Sequence, residues 1–112
     1  MPKDGSFARF VTEELLREVD GITSRAMFGG YGIYRHGIFF ALIADGRLYF
    51  KVDESNKKDF EAAGSQPFIY QAPGKKAMVM SYFELPAGVM EDSEEVKQWV
   101  EKSYRVALAA KK

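Results

Sequence analysis

The chain has 112 residues, enough for one domain with its own core, and its 46% hydrophobic and 29% charged residues are ordinary globular usage, which excludes disordered and fibrous classes. Sixteen Lys and Arg cancel sixteen Asp and Glu, which argues against a chain built to grip nucleic acid or an anionic membrane surface. With no cysteine and one histidine, disulfides, thiol nucleophiles, thiolate metal sites and multi-histidine metal sites are excluded.

Met1 to Ser6 is polar, and the apolar residues that follow are interrupted by Arg9, Glu13, Glu14 and Arg17. No signal peptide is expected, because one needs about 7–15 uninterrupted apolar residues. The apolar run Gly37 to Ala44 is far shorter than the roughly 18 residues of a membrane span, so the cytoplasm is the expected compartment. Phe7, Phe10, Val11, Leu15 and Val19 recur at spacings of three and four, which predicts an amphipathic first helix capped by Ser6 and stopped at Gly21.

The period then changes. Ile22 to Phe28, Tyr31 to Arg35, Ile38 to Ile43 and Leu48 to Val52 are rich in aromatic and β-branched residues. His36-Gly37 and Ala44-Asp45-Gly46-Arg47 between them are turn signals, which together predict an antiparallel meander. Ile38 to Ile43 is apolar on both faces, so it is expected mid-sheet and covered on each side. Leu48, Phe50 and Val52 alternate with Tyr49 and Lys51, as in a strand with one wetter face.

Ser55 is placed to cap a short helix through Ala63 that turns Phe60 and Ala63 inward and stops at Gly64. Two strands are expected at Phe68 to Gln71 and Ala77 to Leu85, joined by the turn Ala72-Pro73-Gly74-Lys75, with Pro86 and Gly88 ending the sheet. Asp92 and Glu95 have capping-box spacing and open a last helix. Its stripe is Val96, Trp99, Val100, Tyr104, Ala107 and Leu108, with acidic residues at its start and Arg105, Lys111 and Lys112 toward its end, as the helix dipole favours. The expected class is α+β: an antiparallel β-sheet of about five to six strands flanked by N-terminal, middle and C-terminal helices, in the order α-β-β-β(-β)-α-β-β-α, as one domain over residues 1–112.

The densest motif is Arg25-Ala26-Met27-Phe28-Gly29-Gly30-Tyr31-Gly32. It fails as a dinucleotide fingerprint, because Arg35 stands where the third glycine belongs and a strand follows. A β-bulge or close backbone approach explains the glycines better than a phosphate loop. Gly74-Lys75 ends like a phosphate-binding loop, but position 69 is isoleucine and no helix follows. His36 sits in a turn with no nucleophile near it in sequence, and reads as a solvated histidine rather than a base. Glu13-Glu14 and Glu91 to Glu95 read as solvated and capping carboxylates. The strand tyrosines, with Lys51, Lys75 and Lys76, leave base stacking by nucleic acid open if they share a face; core packing is the simpler reading.

The segment Ser24 to Gly32 resembles the N-terminal domain family of the TfoX/Sxy regulators of bacterial competence. The likeness continues through Gly37 to Ile43, Gly46 to Lys51, Pro67-Phe68, Met80 to Pro86 and Trp99. It implies a compact α+β domain, transcription-linked regulation and a protein partner, with the transcription machinery as the candidate; the regulators' C-terminal helical domain is not expected in these 112 residues.

The function expected is that of a non-catalytic regulatory or protein-interaction domain, monomer or homodimer, with no cofactor, metal or membrane role. Arg25, Met27, Tyr31 and Tyr82 are the candidate contact residues, because a glycine kink exposes neighbours that the core does not need. Gly29 and Gly30 mark where a pocket would lie if the chain instead binds a small ligand or is an enzyme. Direct nucleic-acid binding is the other alternative.

Overall fold

A computed structural model describes residues 6–27, 30–70 and 74–110. The chain opens with α1 (Ser6–Phe10), which continues as a π-helical segment, Val11–Leu15. The Leu16 N–H donates to the Val11 carbonyl at 2.9 Å, and both side chains are fully buried. Residues five apart differ by about 140° around an α-helix, and the wider turn brings the two onto one face. The single regular helix expected from periodicity is therefore interrupted.

Six strands follow: β1 (Ile22–Met27), β2 (Gly30–Arg35), β3 (Ile38–Ala44), β4 (Arg47–Lys51), β5 (Pro67–Tyr70) and β6 (Met78–Glu84). They form one antiparallel sheet in the order β1-β2-β3-β4-β6-β5. The two meander turns carry positive φ at both central residues, 51° and 79° at His36-Gly37 and 54° and 72° at Asp45-Gly46, the tight-hairpin geometry that matches strand twist. Phe28, Gly29, Gln71, Ala72 and Pro73 lie outside the described residues.

Helix α2 (Lys57–Ala62) starts one residue later than expected, with Asn56 rather than Ser55 at its N-terminal boundary. Ser55 does not cap it; its hydroxyl donates instead to the Asp53 carboxylate. Phe60 is buried as predicted, whereas Ala63 is exposed because the helix has ended before it. After β6 the chain makes one unpredicted helical turn, α3 (Ala87–Met90), which drives Val89 into the core. Asp92 then caps α4 (Ser93–Ala110), accepting from the Glu94 N–H at 3.0 Å and the Glu95 N–H at 3.3 Å. Val96, Val100 and Ala107 of its stripe are buried, while Leu108 is 41% exposed. Lys111 and Lys112 lie outside the described residues.

The helices pack on one face of the sheet. Val11, Leu16, Phe60, Val96 and Val100 join Ile33, Phe40, Leu48, Phe50 and Phe83 in one buried cluster. Asn56, itself buried, donates to the Lys51 carbonyl at 3.1 Å and to the Ser103 hydroxyl at 3.3 Å, and accepts from the Asp53 N–H at 2.9 Å. That single side chain ties the end of β4 to α4.

Candidate functional site

The glycine-rich segment shapes the sheet. Ile33 pairs with Ala41 but Tyr34 pairs with Phe39, so Phe40 is an extra residue in β3. A bulge of this kind sends two consecutive side chains to one side. Phe40 and Ala41 are both fully buried in the helix-packed core, and Phe39 is turned to the opposite face.

A second apolar layer collects on that opposite face. Phe39 lies 5.3 Å from Tyr34 and 5.8 Å from Tyr82 between ring centroids, and Tyr49 lies 5.0 Å from Phe68. None of Met27, Phe39, Leu42, Phe68, Met80 and Tyr82 belongs to the helix-packed cluster. Between them is a cavity of about 260 Å³. Its lining runs from Met27 on β1 and Tyr31 on β2, through Phe39 and Leu42 on β3, to Tyr70 on β5 and Tyr82 on β6. Strands β1 and β5 are the two edges of the sheet, so a cavity shared by both requires the sheet to curl around it. Every lining residue comes from a strand, and none is charged.

Glycine makes this curvature possible. A β-carbon on Gly30 would run into the Ile43 carbonyl oxygen, so β2 and β3 approach there only without a side chain. A β-carbon on Gly32 would meet the Met27 and Phe39 side chains that lie across it. Gly30 and Gly32 serve close approach, the second of the two geometries expected for this segment, while the bulge itself falls at Phe40 on β3.

The structure brings Met27, Tyr31 and Tyr82 together around the cavity, with Gly30 beside them opposite Met27 in the β1–β2 register. Arg25 is exposed and stands opposite Gly32. Gly29 lies outside the described residues. Tyr82 is only 7% exposed, which corrects the expectation that it sits on the open surface: Phe39 and Lys51 cover its ring, the Lys51 ammonium 5.0 Å from the centroid. Burial, with Tyr34 close by, pushes the Tyr82 phenol up to about 12, so it stays a neutral donor. Burial, with Glu84 nearby, also raises Tyr49.

Phe39, Leu42, Ile43, Ala44, Phe68, Tyr70 and Met80 complete the lining and escaped sequence reasoning. The available signal was period two: Phe68 with Tyr70, and Met78, Met80 with Tyr82, mark an apolar face on strands whose other face is also apolar. At the far end of β5 and β6, Met78 is 59% exposed on the cavity face, while the paired Ile69 and Val79, 55% and 69% exposed, stand on the other face of the sheet.

The charged side chains gather elsewhere. Arg35 bonds Glu101 at 3.0 Å and Asp20 at 3.2 Å, with its guanidinium 4.9 Å from the Tyr104 ring centroid. Those hydrogen bonds hold both carboxyls below their ordinary range. His36 is an exposed turn residue with Nε2 3.6 Å from Asp20. Among the described residues no group of three His, Cys, Asp or Glu is placed to hold a metal, and no helix is long and apolar enough to cross a membrane.

A family model described as the TfoX N-terminal domain matches residues 14–107. A search of curated proteins finds no match.

Proposed function

Because the chain belongs to the TfoX N-terminal domain family, we propose that it is a regulatory domain that works through protein contacts rather than catalysis, with competence regulation as the process it serves. One observation carries this reading. The face of the sheet away from the helices presents uncharged apolar and aromatic side chains around a cavity, with the exposed Met78 beside it on the same face. Contiguous apolar surface of this kind marks interaction sites on soluble domains, and it supplies contact area in place of acid–base machinery.

The test is capture of partners from native lysate by the tagged chain, at low and moderate salt, with nuclease-treated duplicates. The expected result is a defined protein that survives nuclease and is lost with the Met78→Lys variant, which should melt like the parent because the position is exposed. Recovery that disappears with nuclease or salt would move the reading to nucleic acid. Capture unaffected by Met78→Lys would remove this end of the cavity face from the contact surface.

A further inference from the structure

We propose that the cavity is a binding site for a small, uncharged molecule of about two fused rings. The inference rests on the reading of this face as the working surface and adds a ligand to it. Three observations carry it.

The first is size and enclosure. Both edge strands contribute lining residues, so the cavity is walled on two sides by the curled sheet. Its volume of about 260 Å³ exceeds the roughly 150 Å³ that accommodates benzene and falls below the 300 Å³ or so where drug-sized pockets begin. Two fused rings occupy that interval.

The second is lining chemistry. Phe39, Phe68 and Tyr82 offer ring faces and edges, and Met27 and Met80 offer thioethers that adapt to an irregular guest. No charged side chain lines the space, so a charged guest would lose its hydration without gaining a counter-ion.

The third is an unused polar capacity. Tyr31 and Tyr82 both line the cavity, and neither hydroxyl makes a hydrogen bond with the described residues. A guest bearing one hydroxyl or carbonyl group has a donor available to it there. Tyr70 and Met80 belong both to the cavity and to the β5–β6 hairpin, so an occupied cavity bears on the exposed Met78 end of that face, where the protein partner is placed.

The experiment is a titration of the full chain, ¹³C-labelled at its methionine methyls, with 1-naphthol and separately with naphthalene-1-sulfonate. Saturable shifts at Met27 and Met80, with Met90 unmoved on the far side of the sheet, are the expected result. The sulfonate should bind at least about tenfold more weakly. Tyr82→Phe, which changes no packing volume, should weaken naphthol binding about fivefold, and Ala44→Phe, which fills the cavity, should abolish it. Absence of saturation, equal shifts at Met78 and Met90, or equal affinity for the sulfonate would overturn the proposal. Such a failure is distinct from failure of the interaction reading, which is read from captured protein and needs no small ligand.

Discussion

Met27 occupies the space that a β-carbon on Gly32 would need, its Cε falling 2.7 Å from that position and its Sδ 3.0 Å. The side chain on β1 therefore lies across the backbone of β2, and the floor of the cavity is built from a glycine's missing side chain. The same segment contains a second glycine with a different constraint, and the two are separable by substitution.

Gly30→Ala sets a methyl against the Ile43 carbonyl, which is backbone in the middle of the sheet and has no freedom to move aside. It should cost about 2–4 kcal/mol of stability. Gly32→Ala meets the far end of flexible Met27, and should cost less than about 1.5 kcal/mol. Urea denaturation of both variants checks the order, which would be reversed or absent if the glycines served only chain flexibility.

Asn56→Ala removes a buried amide and leaves the Asp53 N–H, the Lys51 carbonyl and the Ser103 hydroxyl without their partner. A loss of about 2–3 kcal/mol is expected. In a double-mutant cycle with Ser103→Ala, the double variant should lose less than the sum of the two single losses, because the residues share one hydrogen bond.

The Arg35 cluster predicts an acid-side dependence. Hydrogen bonds from Arg35 lower both Asp20 and Glu101 from their ordinary values of 3.8 and 4.5. A depressed carboxyl contributes stability that is complete above its ordinary value and is lost as pH falls through the lowered one. Wild type should therefore exceed Arg35→Gln in urea midpoint at about pH 7, and the gap should close as pH falls through the lowered values. Added salt should narrow the neutral-pH gap, since Asp20 is exposed and Glu101 half-exposed.

Tyr82 predicts the opposite limb. Its phenol is raised from 10.0 to about 12, so the neutral form stabilises the folded chain fully below about pH 10. That contribution is lost as pH rises from there toward 12. Tyr82→Phe should flatten the fall in melting temperature over this window while leaving the neutral-pH spectrum of a folded sheet intact.

Local pattern determined much of this molecule. The strand segments, the turns at His36-Gly37 and Asp45-Gly46, the Asp92 cap and the α+β order follow from side-chain period and from glycine's access to positive φ, which are properties of neighbouring residues. The family was legible for the same reason, as its motifs are contiguous. The site was legible only in part: Met27, Tyr31 and Tyr82 were named from the glycine kink, while Phe39, Phe68, Tyr70 and Met80 were not. What joins them is the strand order that sets β6 between β4 and β5, the bulge at Phe40, and the curl that brings two sheet edges to one cavity. Each depends on pairings between residues far apart in the chain, and the period of a strand says that its two faces differ without saying which will be covered. For β3 both faces are apolar; helices cover Phe40 and Ala41, and only the tertiary structure left Phe39 and Leu42 facing the cavity.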